Sequence, residues 1–209
     1  MLELLSPAGS MEALRAAVQN GANAVYLGYD RFNARMGAQN FSADELQEAI
    51  VYCHVRGVQV HLTLNTLVSD REMARAAEVI RAAAVFGVDA FIVQDLGMVQ
   101  LCKEIAPSVP VHASTQMSIH SLEGVVAAAE LGCSRVVLAR ELPMEQIRIS
   151  AAEAPWRSRF SSTARSACAT RGSAIYPASS AGARETAGSA PSRAGLRMAM
   201  ADSRRRAIR

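Results

Sequence analysis

The stretch Val111-His-Ala-Ser-Thr-Gln116 alternates strictly between polar residues and residues that are apolar or small. In a β-strand, His112, Ser114 and Gln116 point to one side of the sheet and the residues between them to the other. The flanking segments have the apolar stripes of helices, which pack on an apolar sheet face. The polar face must therefore look into an interior. Residues 58–65 repeat the pattern, with a polar face formed by Gln59, His61, Thr63 and Asn65.

Six predicted strands alternate with predicted helices along the chain. The strands cover residues 3–5, 24–29, 58–65, 90–94, 111–116 and 136–140. Ser42 with Glu45 has the spacing of a capping box at a helix start, and the pair Ser69 and Glu72 repeats it. Glycine suits the left-handed conformation that follows a helix. It ends four predicted helices shortly before the next strand, at Gly21, Gly57, Gly87 and Gly132.

Short loops between alternating strands and helices predict parallel βαβ units. An open doubly wound sheet and a (β/α)8 barrel both contain such units. The barrel is favoured because no G-x-G-x-x-G motif follows the first strand and because polar strand faces suit an enclosed lumen. A complete barrel needs about 250 residues, so the seventh and eighth strands are predicted to be missing. The predicted fold class is α/β, an incomplete TIM-like barrel of about six βα units in residues 1–150, followed by a disordered tail.

The composition changes at about residue 151. Residues 1–150 hold 11 Lys+Arg against 16 Asp+Glu, a net charge of −5. Residues 151–209 hold 11 Arg against 3 acidic residues, a net charge of +8, with 16 Ala and 10 Ser and no apolar period. This composition predicts a disordered basic tail. Such a tail can bind nucleic acid weakly and without specificity, through phosphate contacts.

Composition also bears on the compartment. No run of about 18 apolar residues is present, so no membrane span is predicted. The N-terminus has Glu3 and no basic region before an apolar stretch, so no signal peptide is expected. The four cysteines form no C-x-x-C pair, which is typical of buried thiols in a cytoplasmic protein rather than of a disulfide or zinc framework. They are Cys53, Cys102, Cys133 and Cys168.

The candidate binding residues come from the carboxyl ends of the predicted strands, where parallel α/β folds gather their reactive groups. A hydrogen-bonded polar core is the alternative explanation for any one of them. Ser114 and His112 share a strand face, but no acid is placed to orient the histidine, so a serine nucleophile is weakly supported and the catalytic residues stay undetermined. No metal site is predicted. The candidates are Arg35, Asn65, Gln94, His112, Ser114, Gln116, Arg140 and Glu141.

Several short motifs together resemble peptidase family U32, the collagenase-like peptidases. The resemblance covers about residues 2–150. It implies peptide hydrolysis in the intact protein or, as in several members, hydroxylation of tRNA, rRNA or the ubiquinone ring, with an iron–sulfur cluster in some members. The motifs are Leu4-Leu-Ser-Pro-Ala-Gly9, Ala24-Val-Tyr-Leu-Gly28, Asn40-Phe41, Leu64-Asn65, Gln94-Asp95-Leu96-Gly97, His112-Ala-Ser-Thr-Gln116 and Val137-Leu-Ala-Arg-Glu141.

Beyond residue 151 the chain departs from the family pattern, which continues with Glu-x-Phe-x-x-Gly-Ala-Leu-Cys-x4-Gly-x-Cys. Codons that encode residues 166–176 can also encode Leu-Cys-Met-Cys-Tyr-Ser-Gly-Gln-Cys-Tyr when they are read one base earlier. This agreement favours a reading-frame shift, in which case Cys168 is not a cluster ligand. The chain itself is then expected to be truncated and inactive, with no cofactor of its own.

Three functions therefore stay open. The intact protein is a peptidase acting on peptides, or a protein that supports iron–sulfur-dependent hydroxylation of RNA or a quinone. The third alternative is a non-enzymatic fragment with a basic tail.

Overall fold

The computed structural model describes residues 3–29, 31–34, 40–153 and 159–161. All of them belong to one compact unit. The strands are β1 (Leu5–Pro7), β2 (Ala24–Gly28), β3 (Gln59–Leu64), β4 (Ala90–Val93), β5 (Val111–Ala113), β6 (Arg135–Val137) and β7 (Arg159–Ser161). The α-helices are α1 (Met11–Gln19), α2 (Ala43–His54), α3 (Met73–Phe86), α4 (Leu96–Ile105), α5 (Leu122–Glu130) and α6 (Met144–Glu153). Two short 3-10 helices cover Asp70–Glu72 and Thr115–Met117.

The seven strands form one parallel sheet in the order of the sequence, from β1 to β7. A helix follows each of the first six strands, so the predicted partial barrel of six βα units is confirmed. The expectation that the seventh strand is missing is wrong, because residues 159–161 pair in parallel with β6. Backbone hydrogen bonds make this pairing, so it does not require the apolar run that the sequence lacks there. The other residues of the predicted tail lie outside the described part of the chain.

The outward face of the sheet is apolar and packs under the helices. Its side chains alternate with those of the lumen, as the period of two requires. They form one buried core with helix residues such as Leu14, Leu46 and Ile80, and each fully buried side chain stabilises the fold by roughly 1.5–3 kcal/mol. The strand residues of this core are Val25, Leu27, Val60, Leu62, Leu64, Phe91, Val93, Val111, Ala113 and Val136.

The predicted helix starts are confirmed in atomic detail. At α2, the Ser42 Oγ accepts a hydrogen bond from the Glu45 backbone N–H, and the Glu45 carboxylate accepts one from the Ser42 N–H at 2.9 Å. Ser69 and Glu72 make the corresponding contact at the 3-10 turn before α3, where the Ser69 N–H donates to the carboxylate at 3.0 Å. These contacts satisfy backbone donors that a helix end leaves without partners.

The predicted helix ends are also confirmed. Gly21, Gly57, Gly87 and Gly132 all have a left-handed backbone, with φ between +70° and +95°. In each case the chain reverses there and enters the next strand, because glycine has no Cβ that opposes this conformation.

Three strands differ from their predicted bounds by two residues or more at one end. The strand predicted over 111–116 ends at Ala113 and is followed by a 3-10 turn, because the Ser114 Oγ accepts a hydrogen bond from the Gln116 N–H at 3.3 Å. Local side-chain contacts of this kind compete with the strand ladder. The first strand covers Leu5–Pro7 rather than 3–5, and the sixth covers Arg135–Val137 rather than 136–140.

Two glycines, one before and one after α1, allow the cost of a positive φ in a residue with a Cβ to be measured without a steric clash. An added Cβ meets no atom within 4 Å at Gly9 or at Gly21, but only Gly21 has a positive φ, of +86°. We predict that Gly21→Ala lowers the free energy of unfolding by about 1 kcal/mol. Gly9→Ala, the control, changes it by less than about 0.5 kcal/mol. Urea unfolding measures both, and equal effects would show that backbone strain is not the cause.

Candidate binding site in the barrel lumen

The face of the sheet opposite the helices carries polar residues. Strand register places Tyr26 beside His61, and it places Thr63, Ile92, His112 and Arg135 in one row across β3 to β6. His61, His112, Thr63 and Arg135 are all buried. Their burial away from the helices confirms that a polar lumen exists, as the alternation in residues 58–65 and 111–116 predicts.

Two histidines meet inside this lumen. The ring centroids of His61 and His112 are 4.9 Å apart, and the rings are edge to face with an interplanar angle of 86°. Burial, with a further contribution from the positive charge of Arg135, lowers the pKa of His61 from 6.5 to about 4. His61 is therefore neutral at pH 7, and its Nδ1 has no hydrogen-bond partner within the part of the chain that the structure describes.

A buried ion pair lies beside the histidines. Arg135 donates from Nη1 and Nη2 to the two carboxylate oxygens of Glu3, and both distances are 2.8 Å. The Arg135 side chain is only 6% exposed, whereas that of Glu3 is 28% exposed. The geometry is the bidentate arrangement in which guanidinium–carboxylate pairs are strongest. The pair joins the first residue of β6 to the segment that leads into β1.

At the carboxyl ends of β2 and β3, the loop after β2 is fixed over the sheet. The Asn65 Oδ1 accepts a hydrogen bond from the Ala34 N–H at 3.0 Å. A Cβ at Gly28 would lie 2.8 Å from the Asn33 side chain, so the amide group rests directly on the glycine. Phe32 has a positive φ of +65°, which is uncommon for a bulky residue. Such strain occurs often at binding sites.

The candidate binding residues differ in how deeply the structure buries them. His112 and Ser114 are buried, and Asn65 and Gln94 are partly exposed at the ends of β3 and β4. The sequence placed Gln116 on the lumen face of a strand, and this is wrong, because Gln116 is exposed in the 3-10 turn that Ser114 caps.

The remaining candidates come from other loops. Arg140 and Glu141 are exposed in the segment between β6 and α6. Arg35 lies outside the described residues. A binding role for any of the eight candidates stays a prediction.

Four lumen residues were not among the candidates. His61 and Thr63 lie on the polar face read from residues 58–65, but they lie below the strand end, and the Thr63 hydroxyl donates to the Leu27 carbonyl at 2.8 Å. Arg135 precedes the predicted sixth strand by one residue, and Glu3 begins the predicted first strand, so neither lies at a predicted carboxyl end. Only a long-range contact reveals their pairing, and local periodicity carries no signal for it.

The described cysteines do not fit an iron–sulfur cluster or a reactive thiol. Cys53, Cys102 and Cys133 are buried. Burial raises their pKa values to about 11, 12 and 11 respectively, so the thiols are protonated at pH 7. Among the residues that the structure describes, no three His, Cys, Asp or Glu side chains are grouped so as to hold a metal ion.

The helices were compared with the length and hydropathy that a membrane span needs. None of those formed by the described residues is long and apolar enough to cross a bilayer.

The parallel strands, the outer helices and the polar lumen define an incomplete TIM-like barrel. The model of peptidase family U32 matches residues 9–154, and the chain belongs to this family. The match ends close to residue 151, where the composition changes. A solved structure of the U32 peptidase Mk0906 superposes with a TM-score of 0.61 over 77% of this chain and 67% of that one, at 14% identity. This likeness establishes the shared fold.

Relatives with different names match about 70% of the chain each. The 23S rRNA 5-hydroxycytidine C2501 synthase of Escherichia coli is 41% identical over 147 residues, which are 70% of this chain and 22% of the synthase. The tRNA hydroxylation protein P1 of Bacillus subtilis is 36% identical over 146 residues, 70% of this chain and 35% of that protein. A collagenase of Porphyromonas gingivalis is 37% identical over 147 residues, 70% of this chain and 35% of the collagenase. The chain thus spans about a fifth to a third of the length of these relatives.

The ion pair in the lumen leads to a prediction about stability. Glu3→Gln leaves the buried Arg135 without a counter-charge, so we predict a loss of about 3 kcal/mol in the free energy of unfolding. The control is Glu48→Gln, which breaks an ion pair with Arg15 whose side chains are 58% and 53% exposed. We expect it to cost less than about 1 kcal/mol. Equal losses in urea unfolding would contradict a special role for the buried pair.

The depressed pKa of His61 predicts acid lability. Between pH 6.5 and about 4 the unfolded chain binds a proton at His61 that the folded chain does not, so stability falls as the pH falls through this window. The expected loss is about 3 kcal/mol at 1.36 kcal/mol per pKa unit.

Unfolding of the parent protein and of His61→Leu, measured from pH 7 to pH 4, isolates this contribution. The variant should lose less stability than the parent by that amount. His120→Phe replaces an exposed histidine and should keep the parent's pH dependence. A parent-like slope in His61→Leu would assign the acid lability to other groups.

Proposed function

We propose that the intact protein takes part in the hydroxylation of RNA and that the lumen of the barrel binds part of the substrate. The observation that carries the proposal is that the rRNA 5-hydroxycytidine synthase is 41% identical to this chain over 147 residues, 70% of its length. A cytoplasmic location accords with this function, since ribosomal and transfer RNA are found there.

The chemistry of the lumen supports the proposal. Hydrolysis by a covalent mechanism needs an activated nucleophile beside a base. Ser114 is used as a cap for the 3-10 turn, and the described thiols are held in the protonated form. His61 and His112 instead are buried imidazoles with hydrogen-bonding nitrogens, which suit contact with a planar polar group.

Peptide hydrolysis is the second candidate. The collagenase of P. gingivalis is 37% identical over 147 residues, close to the 36% over 146 residues of the tRNA hydroxylation protein. If the intact protein is a peptidase, its nucleophile or its activated water comes from parts of the site other than the groups described above.

The reading-frame hypothesis also bears on an iron–sulfur cluster as a cofactor of the intact protein. We propose that the gene in its restored frame encodes the cysteines of an iron–sulfur cluster after residue 155, because the described cysteines do not fit one. Resequencing codons 149–170 tests the frame directly. The 209-residue chain should then contain no cluster iron and show no turnover.

The deciding experiment uses the frame-restored protein. It is expressed in an Escherichia coli strain that lacks its own 5-hydroxycytidine synthase, and nucleosides from rRNA and tRNA are analysed by mass spectrometry. We predict that hydroxylated pyrimidine returns with the frame-restored protein and stays absent with its His112→Leu variant. The purified protein should contain iron and acid-labile sulfide.

A gelatin and peptide panel is assayed in parallel. Peptide cleavage by the purified protein, with no change in the RNA, would replace the proposal by the second candidate. The 209-residue chain serves as the negative control in both assays.

A further inference from the structure

The contact between His61 and His112 joins strands that are not neighbours. His61 lies on β3 and His112 on β5, and β4 runs between them. In barrels of this type, side chains from alternate strands meet in one layer of the interior. The residue of β4 in register with His61 is Ala90, and its small side chain leaves room for the rings to approach to 4.9 Å.

The two rings differ in their access from the strand ends. His112 is 7% exposed and lies two residues before the point where β5 passes into the Ser114 turn. His61 is 1% exposed. A molecule entering at the carboxyl ends of the strands therefore reaches His112 first, and His61 contacts the molecule only through His112.

Stability alone does not favour histidine at position 61. Its Nδ1 is buried without a hydrogen-bond partner among the residues that the structure describes, and an unsatisfied buried polar group costs about 1–3 kcal/mol. Arg135 and Glu3 lie close enough to influence His61 electrostatically, and Asp89 contributes from the loop before β4.

We propose that His61 is a positioning residue for His112. Its ring, seated under His112 and facing it edge to face, holds the His112 imidazole in one orientation and one tautomer toward a group bound at the strand ends. The proposal assigns the presentation of His112 to a residue that cannot itself touch the substrate. It rests on the proposed function only for the nature of the bound group.

The first test needs no turnover. Nitrogen-15 spectra of the imidazoles report the tautomer of each histidine, and the four histidines of the chain are assigned by single substitutions. We expect one dominant tautomer for His112 in the parent. His61→Leu, which removes the ring, should move both His112 nitrogen signals toward those of a tautomer mixture, whereas His61→Phe, which keeps a ring, should retain most of the parent pattern.

Controls separate this effect from a general disturbance. The signals of His54, which contacts Asp89 at 2.9 Å, and of His120, which contacts the Ser118 carbonyl at 2.8 Å, should not move. His61→Gln is the second variant, since it removes the ring and keeps a planar polar group, and it should behave like His61→Leu. Spectra are recorded on the 209-residue chain and on the frame-restored protein. An unchanged His112 pattern in both ring-free variants overturns the proposal.

The second test uses the RNA assay. In the frame-restored protein we expect His61→Leu to lower hydroxylated pyrimidine at least about tenfold and His61→Phe to restore most of it. Loss in both variants, with His112 unchanged in the spectra, would overturn the positioning role. If the parent hydroxylates no RNA while the spectra behave as expected, the proposed function fails and the positioning of His112 stands.

Discussion

The ion pair between Arg135 and Glu3 is the interaction on which the lumen depends. Its partners are 132 positions apart in the sequence, and they join β6 to the segment before β1. A buried guanidinium requires a carboxylate partner, because an unpaired charge in the interior is far more costly than a lost surface contact. The sheet must therefore curve until its first strand comes within reach of the sixth. As a result of this curvature, the polar faces of the strands line the concave interior of the partial barrel.

The same charge shapes the chemistry of the interior. Arg135 stands in register with His112 and acts electrostatically on His61, so a proton on His61 would meet both burial and a neighbouring positive charge. His61 is consequently neutral at pH 7, and its contact with His112 is a contact between two rings.

The local features of the fold could be predicted from the sequence because each depends on a few neighbouring residues. The glycine that ends α2 and the Ser42 capping box are examples, and both are found where the pattern places them. Gln116 shows the limit, since one hydrogen bond from its own N–H to Ser114 outweighs the alternation and turns the side chain outward. The pairing of Arg135 with Glu3 lies beyond any local pattern, because only the curvature of the partial barrel brings the two residues together.

The family includes proteins named for different activities. His61, His112 and Arg135 lie within residues 9–154, which the family model matches, and the relatives of this chain include an RNA hydroxylation protein and a collagenase. A fold by itself therefore does not select the reaction. The loop after β2 lies at the carboxyl ends of the strands, where Asn33 rests on Gly28 and Asn65 accepts a hydrogen bond from Ala34. The contact between His61 and His112 is made by the strands below this loop, and strands vary less among related proteins than the loops that connect them.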